Sequence, residues 1–184
     1  MTPTPEIHPA SAARWDDLVA VIGDCAVANK CWCAYWYLGN ADYKAGWGEH
    51  NRLPLEARVA AGEEPGIIAY VEGEPAAWVS VAPRSNFDRL NRSKNFAPID
   101  DVPVWAVNCF VVAKSFRRHG LMPVLARAAA DFALRKGAPA SKPTRSNPRR
   151  SPVPGISMSA RCARSDKQAL TRSHGRCRAA RSCG

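Results

Sequence analysis

Apolar residues at Trp15, Leu18, Val19 and Ile22 recur at i, i+3, i+4 and i+7, the spacing of one helical face. Ser11, following His8-Pro9-Ala10, offers a hydroxyl as N-cap for that helix. Residues 30–37, Lys-Cys-Trp-Cys-Ala-Tyr-Trp-Tyr, are so aromatic that no period assigns them, and residues 39–51 read as a loop. Pro54 suits the first turn of a short second helix, with Leu55 and Val59 apolar and Gly62 ending it. The pattern then changes period. Residues 66–72 and 76–82 are apolar runs around the turn Glu72-Gly73-Glu74-Pro75 and predict a β-hairpin. Residues 83–103 are polar and read as a loop. Residues 104–112 form a third strand, whose nearly continuous apolar character predicts burial on both faces. A polar connection, 113–120, leads to a helix with Leu121, Leu125, Ala128 and Phe132 on one stripe. Pro123 is tolerated in its first turn, where its absent N–H is not needed, and Gly137 is its natural stop. Beyond Gly137 no strand or helix is legible.

Charge and composition divide the chain at the same place. Residues 1–137 hold 15 Lys and Arg against 15 Asp and Glu, whereas the last 47 residues hold 11 basic residues and one acid, Asp166. The whole net charge of +10 therefore sits in the tail. All 15 aromatic residues lie between Trp15 and Phe132. The tail is rich in Arg, Ser, Pro, Ala and Cys, cannot bury enough apolar area to offset its ordering entropy, and is expected to be disordered. Its composition is also what a GC-rich gene yields out of frame, so a frameshift between about residues 137 and 145 is a second expectation, because local and global signals stop agreeing there. No apolar run reaches the ~18 residues of a membrane helix, and Met1-Thr-Pro-Thr-Pro-Glu6 has neither a basic nor an apolar leader region. A cytoplasmic protein without a membrane partner is expected. Seven cysteines, an odd number, argue against a disulfide framework.

The chemistry-bearing unit is strand, short polar loop, Arg117-Arg118-His119-Gly120-Leu121-Met122, helix. The first N–H groups of a helix have no internal partner and point along the positive end of its dipole. A glycine lets backbone approach a phosphate, and two arginines add charge at the rim. The unit is an anion cradle. Other features carry less. Cys25, Cys31, Cys33 and Cys109 lack zinc-site spacing and read as structural thiols. Trp32, Tyr35, Trp36, Tyr37 and Trp47 either line an acceptor pocket or pack a core. His119 either contacts phosphate or is solvated.

With Val112 followed by four residues and then Arg117-x-x-Gly120-x-Met122, this unit resembles the acetyl-CoA-binding core of the GNAT N-acetyltransferase superfamily, with Met122 where the family has Gly or Ala. The order of elements over residues 11–137 is similar too. The resemblance implies a mixed α/β fold, a central and mostly antiparallel sheet with flanking helices. It implies acetyl transfer from acetyl-CoA to an amine acceptor, with the backbone of Phe110, Val111 and Val112 beside the acetyl and pantetheine groups. The N–H groups of Arg118, His119, Gly120, Leu121 and Met122 would face the pyrophosphate, with Arg117 at the rim. The family has no fixed base; by nearness to the strands, Glu72, Asp100 and Asp101 are candidates, and solvated surface carboxylates are the plainer reading of each. A further strand and a Tyr-bearing helix are implied after residue 137, but no Tyr follows Tyr70 and no such strand is legible, so the cofactor cleft is expected to lack its second wall. Three readings stay open: an active acetyltransferase, completed by a partner chain such as a second copy in a homodimer; an inactive remnant; and a nucleic-acid-binding protein acting through the basic tail.

Overall fold

A computed structural model describes residues 4–98 and 100–139 and the backbone of 156–158. The five-stranded sheet runs β1 (Glu6–Pro9), β2 (Gly66–Val71), β3 (Glu74–Pro83), β4 (Trp105–Val112), β5 (Ile156–Met158) in spatial order. The first four strands are antiparallel and β5 is parallel to β4. The mixed α/β architecture with a mostly antiparallel sheet is as the resemblance implied.

The hairpin is as expected. Glu72 and Gly73 take φ of 53° and 82°, the left-handed pair that matches the twist of a two-residue hairpin loop. The helices at 53–60 and 121–135 also match, with Pro54 and Pro123 in their first turns. Alternation along the sheet yields two cores. On one face Ile67, Val79, Val81 and Val107 pack against Leu121, Leu125, Ala129 and Phe132 of α7 (Leu121–Arg135). On the other, Ile68, Trp78 and Val111 pack beneath α1 (Trp15–Gly23) and the segment after it.

The structure corrects the sequence reading at five places. Residues 6–9, read as a lead into a helix, form the edge strand β1; Pro9 is tolerated at its end because edge strands need fewer ladder donors. Ser11 makes no side-chain cap; its carbonyl accepts from Arg14 N–H at 2.9 Å to open a short 3-10 turn before α1. The aromatic segment and the supposed loop at 39–51 contain α2 (Ala28–Cys31), α3 (Ala34–Tyr37) and α4 (Asn40–Ala45), with a 3-10 turn before α5 (Leu53–Ala60). These pieces are too short for a period to register. Fully buried Asn51 holds them, its amide donating to the carbonyls of Lys30 (3.2 Å) and Tyr43 (3.1 Å). The supposed loop at 83–103 holds α6 (Asp88–Arg92), whose Arg89 donates to the Tyr35 and Leu38 carbonyls and to Asn40. Finally, a strand exists after Gly137: Ile156–Met158 pairs with Trp105–Val107. Three residues carry no period, so the sequence pattern does not reveal it. The expected disorder or frame change of the rest of 138–184 lies outside the described residues beyond 139.

Candidate functional site: the end of β4 and the start of α7

β4 lies between β3 and the short β5, and its C-terminal half carries the site. The register with β3 slips between Ser80 and Val81: Ser80 opposes Cys109 and Val81 opposes Val107, so Asn108 is the extra residue of a β-bulge. Asn108 is 3% exposed and its amide nitrogen has no hydrogen-bond partner among the described residues. Sequence reasoning missed it, although it is the one amide in an otherwise apolar strand. A bulge bends its strand and re-aims the residues beyond it. Ala113 N–H donates to the Ala76 carbonyl at 2.9 Å, so period-two alternation turns the Phe110 and Val112 backbone groups away from β3. The β5 pairing reaches only as far as Val107, leaving that edge of β4 uncovered from Asn108 on among the described residues.

The chain then passes through a 3-10 turn, Lys114–Phe116, into the predicted cradle. Two contacts hold the turn. Asp24, just past the end of α1, accepts from Lys114 N–H and pairs with its ammonium at 3.4 Å. The Lys114 backbone N–H, and then the Lys114 charge, hold the Asp24 carboxyl below its ordinary value. Arg117 Nε donates to the Val112 carbonyl at 3.0 Å, tying the rim to the strand. Arg118 and Gly120 both take left-handed conformations, φ 67° and 74°. Left-handed residues at such a loop-to-helix junction turn the chain sharply, so that backbone N–H groups can converge on an anion. Gly120 is also the N-cap of α7, and no side chain caps it. The orphan N–H groups of a 15-residue helix are thus left for a ligand, and the residues present fit a pyrophosphate. Met122, 44% exposed, stands at the mouth of the cradle, and Arg118 and His119 are also exposed.

The acidic candidates do not converge on it. Glu72 lies in the exposed hairpin turn beyond the C-terminal end of β4, whereas exposed Asp100 and Asp101 precede its N-terminal end. Eight residues of strand, roughly 25 Å, separate the two groups. Asp100 is occupied locally, accepting from Val102 N–H at 3.2 Å. The aromatic group splits: Trp32, Trp36 and Tyr37 are core, while Trp47 is 52% exposed. Tyr43 makes edge contacts with both Tyr35 and Trp47. Among the described residues no group of His, Cys, Asp and Glu could hold a metal, and no helix is long and apolar enough to cross a membrane.

A model of the Acetyltransferase (GNAT) family matches residues 32–142. No curated protein matches the chain in sequence. Among solved structures it is similar to an aminoglycoside antibiotic 6'-N-acetyltransferase from Acinetobacter haemolyticus (16% identity, 97% of this chain and 95% of that one, TM-score 0.47). It is also similar to arylalkylamine N-acetyltransferase 2 from Aedes aegypti (16%, 73% and 72%, TM-score 0.47). A third is an N-acetyltransferase from Thermoplasma acidophilum in complex with coenzyme A (10%, 73% and 75%, TM-score 0.40).

Proposed function

We propose, since the chain belongs to the acetyltransferase (GNAT) family, that it transfers an acetyl group from acetyl-CoA to an amine. The observation that carries this reading is the uncapped start of α7 behind two left-handed residues, placed directly after a strand whose edge is uncovered among the described residues. The N–H groups of Arg118 to Met122 hold the pyrophosphate, and the Arg117 and Arg118 guanidinium groups add charge at the rim. The Phe110–Val112 backbone, re-aimed by the Asn108 bulge, lies along the thioester arm. There N–H groups fixed in a low-dielectric sheet stabilise the negative charge that develops on the carbonyl oxygen as the amine attacks. No base is assigned, because Glu72, Asp100 and Asp101 lie at opposite ends of β4. A solvent-relayed proton is consistent with an acceptor that enters partly deprotonated.

Acetyl-CoA should raise the melting temperature of the full chain, and a panel of primary amines should release free CoA thiol from it. Absence of both would sink the reading. Stabilisation without thiol release from any amine would instead favour a chain that binds acyl-CoA without transferring. The specific support for that outcome is the three-residue β5, the sole described wall opposite β4.

A further inference from the structure

We infer that Cys33 and Cys109 form a redox-active dithiol, which a peroxide converts to an intramolecular disulfide joining the α2–α3 connection to β4. Neither is in a disulfide here. Cys33 is 4% exposed and sits where two successive non-glycine residues, Trp32 and Cys33, adopt φ of 49° and 58°. Side chains rarely accept that left-handed region, and strain of this kind persists only where the surroundings enforce it. Its effect is to turn the Cys33 thiol into the sheet. There Trp78 Nε1 donates to Sγ at 3.4 Å, and the Cys109 thiol hydrogen-bonds to the same sulfur. Cys109 stands on β4 opposite Ser80, next to the bulge, and remains half-buried rather than sealed.

The surroundings separate this pair from its neighbour. The Cys109 hydrogen bond, with help from Trp78, holds the Cys33 thiol below its ordinary value against the effect of burial. Cys31 lies two residues away, and burial pushes its thiol up. Thiolate character and access decide which cysteine is oxidised. Cys33 starts as the thiolate that the Cys109 and Trp78 hydrogen bonds stabilise; it takes the Cys109 proton along their hydrogen bond, and the more exposed Cys109 sulfur, now the thiolate, attacks the peroxide O–O bond. An S–O bond forms, and the departing hydroxide leaves as water after protonation. Cys33 sulfur then displaces the sulfenic hydroxyl, which departs as water with the Cys33 proton. Two thiols lose two electrons, and one peroxide is reduced to two waters.

The test uses the reduced full chain, treated with an equivalent of hydrogen peroxide, alkylated and mapped without reduction. The Cys33–Cys109 cross-linked peptide should exceed any other pair roughly tenfold, as the effective concentration of two touching thiols requires, and dithiothreitol should reverse it. In Cys33→Ser, which removes both the proton acceptor and the resolving sulfur, Cys109 should react more slowly and stop at a sulfenic acid that dimedone traps. A map dominated by Cys25, Cys31 or the cysteines beyond residue 139 would overturn the proposal. So would a Cys109 that stays reduced in the wild-type chain, whatever the variant's folding.

Discussion

The two faces of the sheet are built from different materials. The face under α7 is aliphatic: Ile67, Val79, Val81, Val107, Leu121, Leu125 and small alanines, with Phe132 as its one large fully buried ring. The face under α1 to α6 buries Trp32, Trp36, Tyr37, Trp78 and Phe87 together with the thiol of Cys33. It also leaves the hydroxyls of Tyr37 and Ser80 buried without a hydrogen bond among the described residues. Apolar packing has no desolvation to offset, whereas a buried polar group costs free energy unless paired. The α7 face therefore does one thing, which is to hold the start of α7 at the end of β4. The opposite face tolerates polar atoms beside the bulged strand, and it is where the thiol pair sits.

The largest expected effect breaks the aliphatic side. Phe132 is 2% exposed and makes an edge contact with Trp105 of β4, centroids 6.1 Å apart. Phe132→Ala should cost about 3–5 kcal/mol, from lost transfer energy plus the cavity left behind, seen as a lower urea midpoint with an unchanged slope. A loss under about 1 kcal/mol would mean that α7 is not anchored as described.

Next is the helix start that this core positions. Gly120→Val puts a β-branched residue at φ 74° and a side chain in the cradle. Backbone strain of roughly 1–3 kcal/mol is expected, and acetyl-CoA binding by calorimetry should weaken at least about tenfold. Unchanged affinity would remove the pyrophosphate from this loop. Gly120→Ala, less bulky at the same φ, should fall between.

These two sites also mark what is legible in the sequence. The Leu121, Leu125, Phe132 period and the Arg117-x-x-Gly120 spacing are local signals. A 15-residue helix and an eight-residue strand are long enough for them to accumulate. On the other face the periods of α1 and α5 are legible, but the helices between and after them are not, for a physical reason. These, α2, α3, α4 and α6, are four to six residues long, and they are fixed by contacts distant in sequence. Arg89 reaches back to Tyr35, Leu38 and Asn40, and Asn51 to Lys30 and Tyr43. The Asn108 bulge is likewise set by pairing with β3; an Asn in an apolar run hints at it but does not determine it.

A smaller effect probes a polar contact that is made. Tyr70 of β2 donates its hydroxyl to Asp17 of α1 at 2.5 Å. Burial, and then that carboxylate, push the phenol up to about 12 from 10. A folded value above the unfolded one means that the stabilisation is complete below pH 10 and is lost as pH rises through about 12. Tyr70→Phe should therefore cost about 1 kcal/mol near neutrality, with the gap to wild type closing across that alkaline window. A gap that held constant with pH would show that packing, not the hydrogen bond, carries the difference.

The smallest effect sharpens the contrast by its near absence. Tyr37 is fully part of the aromatic core, stacked on Phe87 with centroids 5.4 Å apart and covered by the Arg58 guanidinium at 4.4 Å. Its hydroxyl lies toward Ser80 but makes no hydrogen bond among the described residues, and burial pushes its phenol up. Tyr37→Phe keeps both ring contacts and removes one orphan polar atom, so its stability should stay within about 0.5 kcal/mol of wild type or rise slightly. Tyr70→Phe deletes the same atom where it has a partner. If the two variants lose equal stability, the Tyr37 hydroxyl has a partner after all, and the polar atoms of this face are a satisfied network. If only Tyr70→Phe does, the unpaired hydroxyls are retained at a cost that the α7 face never bears.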